Sequence, residues 1–159
     1  MSYLLWKALH ILSVVIFLGN IVTGLFWAAH AHGTRDLKHI AATFSGISKS
    51  DRWFTVPGVV GILVSGLAAA IKGSFPILGT PWILWAIALF SISGIIYGMW
   101  LTPLQRQIAG LAQAANSSGQ TWETYSSLYR RWELWGLAAL LTPLGALVIM
   151  VLKPALPGL

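Results

Sequence analysis

The order of apolar and charged positions divides this chain before any composition is counted. Residues 8–34, 53–71, 73–105 and 134–152 contain no Asp, Glu, Lys or Arg, which makes uninterrupted runs of 27, 19, 33 and 19 residues. A helix crossing the hydrocarbon core of a bilayer needs about 20 apolar residues. Each run therefore holds one crossing, and the longest is too short for two crossings and a turn. The pattern predicts an all-α fold, a four-transmembrane-helix bundle forming one integral-membrane domain over 1–159. The spans are expected near 4–29, 53–72, 81–103 and 132–152, with a polar loop over 104–131. In the third run, Gly73, Pro76 and Gly79 read as a loop, and Thr80-Pro81 as an N-cap followed by proline at the first helical position, which starts that helix at Pro81. The charged stretch from Arg35 to Arg52 reads as a second loop. Residues 105–129, through Ala112, Asn116, Ser117, Ser118 and Gly119, read as a helical extension, a turn and a short polar helix.

Ala29-His30-Ala31 resembles a leader-peptide cleavage site. The run before it is too long for the apolar region of a leader, about 7–15 residues, and it contains His10 and Asn20. The first segment is expected to persist as a helix.

Composition removes the ordinary soluble alternative. Only 9% of the residues are charged and 57% are hydrophobic, with a mean hydropathy of +0.75, against roughly a quarter charged in a soluble domain. Ten Lys and Arg against four Asp and Glu leave a net charge of +6, which in this class orients the chain in the bilayer and implies no nucleic-acid partner. Arg35, Lys38, Lys49, Arg52, Arg106, Arg130 and Arg131 fall on one side, and Lys7, Lys72 and Lys153 on the other. Seven against three predicts both long loops in the cytoplasm and both termini outside, in a multi-pass protein of the bacterial inner membrane. Trp6, Trp82 and Trp85 mark the outer boundary. Trp27, Trp53, Trp100, Trp132 and Trp135 mark the inner one, and Trp122 reads as a loop residue. The absence of cysteine excludes disulfides, iron–sulfur clusters, thiolate haem ligation and thiol nucleophiles.

On the first helix, at 100° per residue, His10, Ser13, Phe17, Asn20 and Gly24 fall within a sector about 80° wide. Polar side chains in a crossing helix face the bundle interior, so Ser13 and Asn20 either line a site with His10 or hydrogen-bond a neighbouring helix. Gly61, Ser65 and Ala69 on the second span, and Gly94 with Gly98 on the third, form small-residue faces for close packing within the bundle or across a homodimer. Pro57 is expected in the first turn of the second helix. Pro143, in mid-helix, frees the Ala139 carbonyl and predicts a kink.

His10 is the ionisable residue well inside a span on the outward half, a position that is a functional candidate by default. It suits an axial ligand to haem b, a proton relay, or a hydrogen-bonded structural residue. His30 and His32 lie about 30 Å further along the helix and cannot share an iron with His10. Met150 is the second-ligand candidate at the same depth, and a five-coordinate haem or two His10 residues meeting across a dimer are the alternatives. His30, His32 and His39 form a second, weaker metal candidate at the inner mouth, with Asp36 and Asp51 nearby. Arg52, Arg130, Arg131 and Glu133 gather at that mouth. There the arginines suit carboxylates or phosphates, lipid headgroups first.

Lys7-Ala8-Leu9-His10-Ile11 followed by Gly19 and then His30 resembles the opening of the four-helix HemJ-type protoporphyrinogen oxidases. Arg131-Trp132-Glu133 and Lys153-Pro154 resemble that family's closing segment. The layout as a whole is more similar to the uncharacterised integral-membrane family DUF2269. The HemJ resemblance implies a bundle that accommodates porphyrin and a membrane oxidoreductase, with His10 as haem ligand and Lys7, Arg52 and Arg131 pairing with propionates. The expected function is haem b or porphyrin binding in membrane redox or haem metabolism, with the lipid bilayer and a porphyrin or quinone as partners. The alternative is a non-enzymatic scaffold, or a carrier of small molecules or metal, with a structural His10.

Overall fold

The computed structural model describes residues 2–114 and 119–158. The turn expected over Asn116, Ser117 and Ser118 lies outside the described residues. Four helices are long and apolar enough to cross a membrane, and each outruns its expected span. Helix α1 is Tyr3–Thr34. It ends where Arg35 adopts a left-handed φ of 55°, and the Asp36 carboxylate caps the next helix by accepting from the Lys38 amide at 2.9 Å.

The charged stretch expected to be a loop is a helix instead. Helix α2 (Leu37–Ser50) buries Ile40, Ala41, Phe44 and Ile47 along one face and turns its lysines outward. It runs through a single π turn, Asp51–Thr55, into α3 (Val56–Lys72). The third rod repeats the device: α4 (Pro81–Ile96), which starts at Pro81 as expected, passes through a π turn, Tyr97–Leu101, into α5 (Thr102–Ala114). Helix α6 (Gly119–Leu152) is continuous, so the separate short polar helix does not exist and Trp122 is helical.

Both π turns have the same local cause. Pro57 and Pro103 each lie two residues beyond one, and a helical proline lacks an N–H and crowds the carbonyl four residues before it, here Trp53 and Met99. Both carbonyls lie inside the widened turns, where the Val56 amide donates to the Asp51 carbonyl and the Thr102 amide to the Tyr97 carbonyl. Pro57 is thus not in a free first turn. Pro143 is accommodated differently: Ser93 Oγ donates to the Ala139 carbonyl at 2.7 Å, supplying from α4 a partner for the oxygen that the proline leaves unpaired.

The rods pack in two pairs, α1 along α3 and α4 along α6. The α1·α3 contact is made of small residues: an added Cβ on Gly58 would press on Phe17, on Gly61 on Ser13, and on Gly66 on His10. Tyr3, Phe75, Trp82 and Lys153 meet at the end that carries both termini, where Trp85 Nε1 donates to the Pro157 carbonyl. We call this the terminal end. At the other, basic end, α2, α5 and the adjoining parts of α1 and α6 enclose the main apolar core, with Phe44, Ile40, Ile108 and Tyr125 fully buried.

Candidate functional site

The polar face of α1 meets the second rod along its whole length. His10 Nδ1 lies 3.0 Å from the Ile62 carbonyl and 3.5 Å from Ser65 Oγ. A carbonyl only accepts, so Nδ1 carries the proton and the lone pair of the neutral ring is left on Nε2. The ring rests against Gly66, where a side chain would collide with it. Ser13 returns its hydroxyl to the Leu9 carbonyl, and Ser65 to that of Gly61. One helical turn further Phe17, 4% exposed, packs on Gly58 and, at 5.5 Å between centroids, on Phe90.

Beyond Phe17 is a second polar cluster, built around Asp51. Asn20 Nδ2 donates to Asp51 Oδ1 at 3.0 Å and to Thr55 Oγ1 at 2.9 Å. Thr55 Oγ1 donates to the same carboxylate oxygen at 2.9 Å, and Gln105 Nε2 donates to Asp51 Oδ2 at 3.1 Å. Asp51, Thr55 and Gln105 are all at least 94% buried, and every one of these partners is neutral. A cavity of about 30 Å³ beside this cluster is lined mainly by apolar side chains, among them Ile21, Leu25, Ile47, Leu101 and Trp132, together with Asn20, Asp51, Tyr97 and Gln105. Both π turns contribute to it, Asp51 from one and Tyr97 from the other. Such turns recur at functional sites because they aim a side chain that a regular helix would point elsewhere.

The other candidates are spread over the bundle. Lys7, Arg52 and Arg131 are exposed, and the last two belong to the opposite end of the bundle from His10. Met150 is half-buried on α6. His30 and His32 diverge: His30 sits against Trp27 and His39, whereas His32 stacks on Tyr129 at 4.1 Å and bonds Tyr125 Oη through Nδ1 at 3.1 Å. Residues two apart on a helix point apart. Among the described residues no three His, Asp or Glu side chains converge as a metal site. The small-residue faces split as well: Gly61 and Ser65 are used against α1, while a Cβ added at Gly94 or Gly98 would meet nothing within 4 Å.

Asn20 is visible in the sequence as a member of the polar face. Asp51, Thr55, Gln105, Tyr97 and Trp132 do not stand out there as partners in a site. One signal points to Asp51: it continues the buried series Ile40, Phe44, Ile47 at a helical step of four.

The sequence model of DUF2269, described as a predicted integral membrane protein, matches residues 4–154. No curated protein and no solved structure matches the chain.

Proposed function

From the premise that the chain belongs to DUF2269, a family of predicted integral membrane proteins, we propose that it is a non-enzymatic carrier that moves protons along the contact between α1 and the second rod. The observation behind this reading is the buried Asp51 carboxylate with only neutral hydrogen-bond partners, on the same interface as His10. Ionisable groups in a bundle interior mark proton and ion pathways, and an uncompensated carboxylate attracts a positive charge. Asp51 and His10 are two stations, separated along α1 by the ten residues from Asn20 to His10, about 15 Å. Phe17 closes the contact between them. The excess of basic residues at the Asp51 end supports a reading in which that end faces the cytoplasm of a bacterial inner membrane. The chain has no cysteine of its own, so single introduced cysteines with impermeant labels report that orientation directly.

The test is proton uptake by proteoliposomes under an imposed potential. Wild-type protein should collapse the gradient faster than empty vesicles, and Asp51→Asn, which keeps the shape and removes the charge, should return the rate to that of empty vesicles. Equal rates for wild type and Asp51→Asn would refute the reading.

A second reading is favoured by one specific observation. A metal-ligating histidine normally donates its other ring N–H to a carbonyl, as His10 Nδ1 does to Ile62, which leaves Nε2 available to haem iron. The rest of the proposed set does not fit one haem in this chain, because Arg52 and Arg131 lie at the far end from His10. In this reading His10 alone, Met150, or a second copy of the chain would complete the ligation. An absorption spectrum of detergent-purified protein from haem-replete cells decides it. A Soret band lost in His10→Ala supports the reading, and a colourless protein ends it.

A further inference from the structure

At the basic end, α6 borders a groove of about 550 Å³. Its lining among the described residues forms two columns at helical steps of four: Trp122, Ser126 and Arg130 in one, Glu123, Ser127 and Arg131 in the other. Side chains four apart on a helix are neighbours, and they lean toward its N-terminus, so each guanidinium is carried up beside a serine hydroxyl. Neither arginine makes an ion pair with a described residue, and neither does Glu123. Glu133, close to the arginines in sequence, is outside the lining and accepts from Tyr129 Oη at 3.0 Å. Arg35 adds a positive charge at the far end, 5.7 Å from the centre of the Trp122 ring.

The groove has a direction. At 100° per residue, the exposed Leu134, Leu137 and Leu141 fall inside the sector of α6 that the two columns cover. One helix face therefore passes from leucines that meet lipid to the arginines, about one turn above Leu134, and on to Glu123, about 12 Å above Arg131. A phospholipid has the same order along its length: acyl chains, phosphodiester, headgroup. Guanidinium groups match phosphate oxygens in charge and in geometry. A carboxylate only accepts, so Glu123 calls for a donor in the headgroup, a cationic one above all. We propose that this groove binds one phospholipid with a protonated amine in its headgroup. The phosphodiester lies on Arg130, Arg131 and the serines, the ammonium on Glu123, and an acyl chain along Leu134 and Leu137. Glu123 gives the site its selectivity: a quaternary ammonium has no N–H to donate, and a glycerol headgroup donates without charge. The site is separate from the Asp51 cluster and independent of proton movement.

The test is native mass spectrometry of the full chain in detergent, titrated with phosphatidylethanolamine, phosphatidylglycerol or phosphatidylcholine of equal chain length. A single phosphatidylethanolamine adduct should form at the lowest lipid concentration. Arg130→Gln and Arg131→Gln should each weaken it about fivefold. Glu123→Gln should bring phosphatidylethanolamine down to the level of phosphatidylglycerol. Lys38→Gln, which removes an exposed charge at the same end but outside the groove, should change nothing. Equal affinity for the three lipids, or equal losses in Lys38→Gln and Arg131→Gln, would overturn the proposal. Displacement of the lipid by an equal concentration of free phosphorylethanolamine would overturn it too, because the ligand would then be a soluble phosphate.

Discussion

Over Leu37–Ser50 the second rod buries Ile40, Ala41, Phe44 and Ile47 and turns Lys38, His39, Ser48 and Lys49 outward. Over Val56–Lys72 the same rod turns Val60, Leu63, Val64, Leu67 and Ile71 outward and buries Gly58, Ile62, Ser65 and Ala70. The third rod changes its outer face in the same way: α5 exposes Arg106 and Gln107 and hides Leu104, Gln105, Ile108 and Ala112, whereas α4 exposes Ile87, Ile92 and Ile95 and hides Ile83, Ala86, Ser93 and Ile96. The difference teaches which solvent each region meets. At the basic end apolar surface leaves water, and burial drives association. Between the tryptophan belts lipid is as apolar as leucine. The helices there are held by close approach at glycine and by hydrogen bonds to otherwise unpaired groups. Asp51 lies where the two regimes meet.

The largest expected effect is at the basic end. Phe44→Ala deletes a fully buried ring from a core that depends on burial, and should lower stability by about 3–5 kcal/mol. Thermal unfolding in nanodiscs followed by circular dichroism measures it. A loss no greater than that of the lipid-facing Val64→Ala would break the comparison. Next is Ser93→Ala, in the membrane regime, which leaves the Ala139 carbonyl without its donor and should cost about 1–3 kcal/mol. Restoration by Ser93→Thr would show that the hydroxyl is responsible. His10→Ala removes one hydrogen bond from the α1·α3 contact and should cost about 0.5–1.5 kcal/mol. Amide hydrogen exchange should rise over α1 and α3 and stay unchanged in α5. The smallest effect is expected for Gly94→Leu, at an exposed position where an added Cβ meets nothing within 4 Å, so stability should change by less than about 0.5 kcal/mol. A change in particle size in detergent would instead reveal a second copy on that face, and the comparison would then need a third regime.

The charge-free runs reveal the four crossings because lipid excludes charge, and Thr80-Pro81 reveals a helix start because proline at that position is local chemistry. The same criterion hides α2. Lys38, Lys49, Asp51 and Arg52 read as loop markers, whereas a helix in water carries charge on its outer face. The buried period through Ile40, Phe44, Ile47 and Asp51 is the better guide, and it brings Asp51 into the site. The α1 polar face is legible down to each residue, since 3.6 residues per turn decides which side chains align. What they touch is not: Gln105 reaches Asp51, and Trp132 the cavity beside it, from rods more than 50 residues away in sequence, and no local pattern records that. Pro143 is legible by half, as a freed carbonyl. Its partner Ser93 required the α4·α6 contact.

The two prolines beyond the π turns have a mechanical consequence. A π turn is one surplus residue in a helix, and it behaves as a dislocation does in a crystal: it glides when each amide in turn exchanges its acceptor for the adjacent one, rotating one side of the rod against the other. Gliding past Val56 would require an amide at position 57 to reach the Arg52 carbonyl, and gliding past Thr102 would require one at position 103 to reach that of Gly98. Both positions are proline and have no hydrogen to offer. Each defect is pinned on its C-terminal flank by the residue that created it. Glide in that direction, which would turn the water-facing length of each rod against the lipid-facing length and re-aim Asp51 and Tyr97, is thereby blocked.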